Sequence, residues 1–467
     1  MLCEGAQTQG IRPLDLPSPH RLGRLGSDRG ARVVGAGDVA VDAASLLAER
    51  THQARVGGSP ERVARVLAAL GSPERSFRAI HLTGTNGKTT ATLATAALLE
   101  AAGVRAGSFT SPHLERVEER IRLGGEEISP SELVSLLERA IRAADASGEE
   151  IGYFEALTLA ALAGFAEAGV EVAAVEVGIG GLRDATNVLG AEVAVVTSVG
   201  LDHTEVLGDT LEEIATDKAA IAASAHTLVS GPVDPGLLPI LDSSGARRHL
   251  AAGRDWQLVT TPVASGQLLD LASPVGTHRK VHLGLRGPHQ GANVATALLA
   301  TEAALDRRLD DDEVARGLAA LAVPGRLELL ASAPLVLADG VKNPAGARAL
   351  RAALDVEPLL VGRSLVVVVG LLAGHDAEEM LRALDVAAAR LVVTCAPETP
   401  RALPAEVVAE AARAAGAPAV VVGEGVAGSV HLALGETGDA DAVVVTGSLY
   451  VVGEARSALR CLRRADA

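Results

Sequence analysis

Aromatic residues are almost missing from this chain, with 4 Phe, 2 Tyr and 1 Trp among 467 residues. The 48% apolar content therefore rests largely on Ala and Val, a composition suited to helices packed on parallel strands. Cysteine is scarce as well. Cys3, Cys395 and Cys461 lie far apart with no C-x-x-C spacing, which supports neither a disulfide framework nor a zinc site and fits a reducing cytosol. Long apolar runs are missing too: Val443–Val445 and Leu365–Val369 are strand-length, against about 20 residues needed to cross a bilayer. No membrane segment is expected. Nor is there a basic excess. Lys+Arg 42 against Asp+Glu 58 leaves a net charge of −16, which argues against a nucleic-acid partner. Residues 1–40 carry scattered Arg, Gly, Ser and Pro without an apolar h-region, so they read as a loose tail rather than a secretory signal, and a cytoplasmic location is expected.

A chain of 467 residues exceeds what one core usually covers, so two domains are expected. From about residue 60 onward, short β-branched runs alternate with Ala/Leu/Glu-rich stretches, the pattern of an α/β fold with parallel strands joined by helices. Residues 79–82, 172–175 and 193–196 read as buried strands, each ending at a glycine or polar residue, where ligands bind in such sheets. Between Pro232 and Gly287 short alternating runs suggest a small β-rich segment, and the next periodic helix is expected near Asn293. Val323-Pro324-Gly325-Arg326 then breaks the pattern. The division is therefore drawn as tail 1–40, first domain 41–323 and second domain 324–467. Strands of the second domain are expected at 335–338, 365–369, 391–394, 419–422 and 442–445.

The strand ending at Leu82 runs into Thr83-Gly84-Thr85-Asn86-Gly87-Lys88-Thr89-Thr90, followed by an Ala/Leu-rich helix expected over 91–102. Glycines at Gly84 and Gly87 let backbone N–H groups approach phosphate oxygens. Lys88 suits the β/γ-phosphates of ATP, and the Thr89 hydroxyl can reach Mg²⁺. Only Thr85 and Asn86 separate Gly84 from Gly87-Lys88, two residues fewer than the general phosphate-loop pattern, and an ordinary strand-to-helix turn is the plain alternative. A second glycine pattern, Gly423-x-Gly425-x-x-Gly428, fits a dinucleotide fingerprint but lies late in the second domain, outside a first βαβ unit.

The short loop resembles that of Mur-type amide ligases. Further segments, over roughly residues 55–460, narrow the resemblance to the folylpolyglutamate and dihydrofolate synthases. Gly71-Ser72-Pro73-Glu74, Thr110-Ser111-Pro112-His113-Leu114 and Glu119-Arg120-Ile121 are similar to segments before the phosphate loop and in the family's pterin-side loop. The resemblance implies a P-loop central domain with a mainly parallel sheet and a smaller Rossmann-like C-terminal domain. It implies Mg²⁺ ligation by Thr89, Ser111 and Glu176, with His203 and a carbamylated Lys218 at a second Mg²⁺. Asn293, Arg326 and Asp339 are implied at the ATP, and Tyr153, Phe154, Glu155, Asp184, Ala185 and Thr186 at the pteroate. Lys88, His203, Lys218 and Arg326 are implied in catalysis. Taken alone, Ser111-Pro112-His113-Leu114 is equally a turn, Glu176 a strand-edge carboxylate, His203 a structural histidine, Lys218 a surface lysine, Asn293 a helix start and Arg326 a linker charge.

Three positions depart from the family pattern. Gly181-Leu182-Arg183-Asp184 stands where Gly-Gly-Arg-Leu-Asp is usual, leaving the Asp in register; Lys342 stands where the family carries His; and Ala373-Gly374-His375-Asp376 replaces Ala-Asp-Lys-Asp. Thr446-Gly447-Ser448-Leu449-Tyr450 fits closely. The reaction implied is formation of an acyl phosphate from a carboxylate and ATP, then displacement of phosphate by the amine of L-glutamate. Dihydropteroate, a reduced folate, or both are the expected acceptors, with a monomeric enzyme. The rivals are a muramyl-peptide ligase, which needs an N-terminal domain for its UDP-sugar substrate, and a nucleotide-binding paralogue that has lost turnover.

Overall fold

A computed structural model describes residues 42–51, 59–319, 321–374 and 376–465. The expected tail, Cys3 and the departure at His375 lie outside the described residues.

An eight-stranded sheet is built from β1 (Arg78–Thr83), β2 (Ala106–Phe109), β3 (Ile121–Leu123), β4 (Glu126–Glu127), β5 (Val172–Glu176), β6 (Val193–Val196), β7 (Thr227–Ser230) and β8 (Arg248–Ala251). Its order is β4-β3-β2-β5-β1-β6-β7-β8, parallel from β2 to β8 with an antiparallel edge at β3 and β4. Three antiparallel strands follow: β9 (Gln257–Val263), β10 (Gly266–Ser273) and β11 (Gly276–Leu283). A six-stranded sheet takes β12 (Glu328–Ser332), β13 (Leu335–Asp339), β14 (Ser364–Val369), β15 (Leu391–Thr394), β16 (Val420–Val422) and β17 (Asp441–Thr446) in the order β12-β13-β17-β14-β15-β16. Its β12–β13 pairing is antiparallel and the others are parallel. The expected α/β architecture is present, and each strand named from the sequence lies within a residue or so of its place.

Central strands are buried on both faces, which is why β5 reads Val-Ala-Ala-Val without alternation. Helices Lys88–Ala101 and Pro288–Leu305 pack on one face of the large sheet, and helices Pro130–Ala146 and Tyr153–Glu167 on the other. Two helix starts fall earlier than expected. The first helix begins at Lys88, with Gly87 as its N-cap, so the polar end of the phosphate loop is already helical. The second begins at Pro288, proline being favoured in a first turn, and Asn293 therefore lies inside the helix rather than at its start. The expected β-rich stretch is real but also holds a short helix, Leu238–Asp242. No described helix is long and apolar enough to cross a membrane.

The few aromatic rings are concentrated. All 4 Phe lie on the side of the sheet covered by helix Tyr153–Glu167, next to β2: Phe77 meets Phe165 edge-on at 5.6 Å, and Phe109 stacks on Phe154 at 5.6 Å. Gly107 makes room for this, since a Cβ there would lie 2.6 Å from the Phe165 ring. Behind the end of β5, the Asp184 carboxylate gathers residues 178–186 around itself. Its Oδ2 accepts the N–H groups of Gly178 and Ile179, both at 3.1 Å, and its Oδ1 accepts Thr186 N–H at 2.9 Å and the Thr186 hydroxyl at 2.5 Å. Because Thr186 gives its one hydroxyl proton to Asp184, the buried His81 Nε2, 2.7 Å away, is the donor to Thr186. Burial lowers the His81 pKa to about 3, which keeps the imidazole neutral.

Two outcomes follow from this packing. Phe165 is fully buried, so Phe165→Ala is expected to cost about 3–5 kcal/mol, read by urea unfolding through the fluorescence of the single, buried Trp256. An unfolded chain protonates His81 near its ordinary pKa whereas the folded one resists until about 3. Stability therefore falls as pH drops below the ordinary value, by about 1.4 kcal/mol per pH unit. His81→Gln should lack that component, seen as a flatter difference curve between pH 6 and 4 (roughly the window set by the two values).

Candidate active site

Register brings the site together. Leu82 pairs with Glu176 where β1 meets β5, and Thr83 with Val196 where β1 meets β6, so the phosphate loop leaves the middle of the sheet flanked by the ends of β5 and β6. The loop is tightly held. A Cβ on Gly84 (φ 147°) would lie 2.0 Å from Thr197 Oγ1, and one on Gly87 (φ 89°) 2.1 Å from Asn293 Oδ1. Both positions demand glycine for space as well as for backbone angle. Thr197 and Ser198 donate their hydroxyls to the Asn86 carbonyl oxygen at 2.6 and 3.0 Å, and Asn86 N–H donates to Ser198 Oγ at 3.0 Å. Thr197 and Ser198 are not marked as loop partners by any motif; their only signal in the sequence is their place at the end of an apolar strand.

Lys88 Nζ donates to the Gly84 carbonyl oxygen at 2.7 Å. Burial lowers its pKa, and the charge of Glu176 opposes this. Glu176, buried at the end of β5, accepts the Thr89 hydroxyl at 3.1 Å and the Ser111 backbone N–H at 3.1 Å. Burial pushes its pKa up to about 7 against the pull of Lys88. A carboxylate and a hydroxyl meeting in a dry place beside a phosphate loop form the hard oxygen set that suits Mg²⁺, which fills its remaining positions with phosphate oxygens and water. Ser111 reaches Glu176 through its amide.

His203 and Lys218, expected at a second Mg²⁺, do not fit that role as placed. His203 Nε2 lies 3.1 Å from Lys342 Nζ. An ammonium can only donate, so it uses the lone pair a metal would need. Lys218 is buried, and burial pushes its pKa down to about 7, with Lys88 adding to the effect. It lies behind the cavity wall, which its neighbour Asp217 lines. Among the described residues no three His, Cys, Asp or Glu side chains form a metal-binding group.

These residues open on one cavity of ≈ 1130 Å³. Thr85 to Thr89, Ser111, Glu176, His203 and Asn293 line it on the phosphate-loop side. Arg326, Asp339 and Lys342 line it from the six-stranded sheet, and Tyr153, Phe154, Glu155 and Asp184 form a third wall. Asp339 accepts Leu327 N–H at 2.8 Å, and burial raises its pKa to about 6 against the charge of Arg326. Arg120 sits 5.4 Å from the centre of the Tyr153 ring. Glu155 caps its own helix through Gly152 N–H at 2.8 Å and pairs with Arg62 at 3.0 Å. Ala185 and Thr186, expected at the pteroate, are fully buried and lie outside the cavity lining. The Gly423–Gly428 pattern follows the edge strand β16 and also lies outside the lining. Unforeseen from the sequence was a bridge between the two sheets: Asn343 Nδ2 donates to Asp202 Oδ2 at 3.1 Å, and the amides of Asn343 and Asn86 meet at 3.3 Å.

Comparison with known proteins matches the Mur ligase middle domain over residues 82–301 and the Mur ligase glutamate ligase domain over 325–449. The dihydrofolate synthase/folylpolyglutamate synthase of Mycobacterium tuberculosis is 36% identical over 451 residues, covering 88% of this chain and 92% of that protein. The folylpolyglutamate synthase of Lacticaseibacillus casei is 32% identical, covering 86% and 94%. Among solved structures, M. tuberculosis folylpolyglutamate synthase complexed with ADP and AMPPCP superposes with a TM-score of 0.83 at 34% identity, over 89% of this chain and 98% of that one. Escherichia coli FolC in complex with DHPP and ADP gives 0.81 at 29%, over 91% and 99%. Both domain families are matched in order and the relatives are alike over nearly their full length, so the chain belongs to the folylpolyglutamate synthase/dihydrofolate synthase family of Mur-type ligases.

Proposed function

We propose that the chain is an ATP-dependent ligase that activates the carboxylate of dihydropteroate or a reduced folate and joins it to L-glutamate. The observation that carries this is a single cavity in which the phosphate loop, with Lys88, Thr89 and Glu176, faces an aromatic wall at Tyr153 and Phe154 and a cationic one at Arg326. The names of the related proteins agree with this. Both acceptors are taken to be substrates, and the division is proposed at 323/324, with the second domain closing over the first. The cytosol and a monomeric state complete the reading.

In the first step a carboxylate oxygen of the acceptor attacks the γ-phosphorus of ATP. An oxygen–phosphorus bond forms, the bond from γ-phosphorus to the β,γ-bridging oxygen breaks, and ADP leaves with that electron pair. The neutral amine of glutamate then attacks the acyl carbon. A carbon–nitrogen bond forms, phosphate departs, and the nitrogen releases a proton. Lys88 offsets charge on the β- and γ-phosphates, and Asn293 steadies the loop at Gly87. Arg326, held beside Asp339, meets the charge that builds on the transferred group. Mg²⁺ at Thr89 and Glu176 would polarise the phosphates. Tyr153, Phe154 and Arg120 hold the pterin side, with Asp184 shaping the loop that borders it, and closure of the two sheets excludes the water that would hydrolyse the acyl phosphate. The lowered pKa of Lys218 leaves a neutral amine fraction near pH 7 (about 7). That amine can add CO₂ and lose a proton to give a carbamate, whose negative charge would offset the Lys88 and Lys342 charges that now act on Lys218.

Purified chain with ATP, Mg²⁺ and glutamate should release ADP and form a glutamylated product when dihydropteroate or tetrahydrofolate is added. If neither stimulates turnover, the folate reading fails, and stimulation by a UDP-muramyl substrate would establish the rival. Lys88→Ala should lower kcat by about 10²–10³ or more while the far-ultraviolet circular dichroism stays unchanged.

A further inference from the structure

The segment after β13 carries Lys342 into the lining of the cavity that the phosphate loop borders. There its Nζ is 3.1 Å from His203 Nε2 and 3.2 Å from Asp202 Oδ2. An imidazole nitrogen beside a carboxylate oxygen is a cation-binding pair, and here the cation comes from the chain itself. Asp202 is fixed for the role: its Oδ1 accepts His203 N–H at 3.1 Å and its Oδ2 also accepts Asn343 Nδ2 at 3.1 Å. Mg²⁺ needs its ligands at about 2.0–2.1 Å in octahedral array. A metal at that distance from His203 Nε2 would collide with the ammonium and meet its like charge. The family pattern places histidine at this position, and an uncharged imidazole there would bring no such competitor.

Resting on the ligase reading above, we propose that the Lys342 ammonium takes the place of a second divalent cation on the Asp202–His203 side of the cavity. The enzyme then works with one Mg²⁺, at Thr89 and Glu176, and supplies the other positive charge from its second domain. The charge is delivered only when that domain is seated. Lys342 and Asn343 are adjacent, and Asn343 bonds both Asp202 and the phosphate-loop residue Asn86. One charge of +1 replaces one of +2, and the metal dependence of turnover becomes that of a single site.

Counting bound Mn²⁺ by electron paramagnetic resonance, on the full chain saturated with AMPPCP, tests this directly. Wild type should hold one Mn²⁺ per chain and Lys342→His two. Two in wild type, or the same number in both proteins, overturns the proposal. No nucleotide-dependent Mn²⁺ in either protein overturns the ligase reading with it, so the two failures are distinguishable. Lys342→Met, at a half-exposed side chain, should lower kcat at least tenfold with little change in KM for glutamate, and Lys342→Arg should recover most of it. A raised KM for glutamate with kcat unchanged would instead mark Lys342 as a carboxylate anchor and sink the proposal.

Discussion

The close approach of the phosphate loop to its two neighbours constrains the rest of this site. Gly84 lies against Thr197 and Gly87 against Asn293, each with no space for a Cβ. A side chain at either position would push the loop away from the end of β6 or from helix Pro288–Leu305, and with it the first turn that carries Lys88 and Thr89. Thr89 is in turn the hydroxyl partner of Glu176. The backbone contact therefore sets where the carboxylate and the ammonium point, and the central position of β1 between β5 and β6 makes the contact possible.

Burial then shapes the chemistry. Lys88, Glu176, Lys218 and Asp339 are all driven toward their neutral forms by loss of water. Each leans on an opposite charge close by: Lys88 on Glu176, Asp339 on Arg326, Lys218 on Asp217 and Asp202. Such a site is primed for a ligand that brings charge of its own, because a polyphosphate with its metal favours the charged forms of Lys88 and Glu176 together.

How far the sequence discloses this depends on distance along the chain. Val-rich runs name β5, β6, β13, β14, β15 and β17 directly, because strands buried on both faces show as unbroken apolar stretches. Ala106-Gly-Ser-Phe109 escapes notice as β2, since Gly107 is there to admit the Phe165 ring rather than to favour a strand. The phosphate loop is legible as one segment, and Glu176 by its strand end. The Ala185-Thr186 pair shows the limit: the motif marks a loop near the substrate wall, but the side chains turn inward, where Thr186 bonds both Asp184 and His81. Asn86 and Asn343 are 257 residues apart, and no local pattern announces a contact of that span.

That contact also decides what the second sheet can do. Asp202 sits on the first sheet's side, yet two of its hydrogen-bonding partners, Lys342 and Asn343, follow β13 of the other. Asn343 additionally caps the helix Pro344–Val356 through Gly346 N–H, so the amide that touches the phosphate loop is rigidly tied to a helix of the second domain. A displacement of that helix must therefore either break the bonds to Asp202 and Asn86 or drag the loop with it. The Asn343 amide donates to a buried carboxylate, and a hydrogen bond to a charged group contributes about 1.5–3 kcal/mol. Moving the loop would require space that Thr197 and Asn293 already fill. Displacement of that helix would therefore break the bonds of Asn343 and leave the phosphate loop in place.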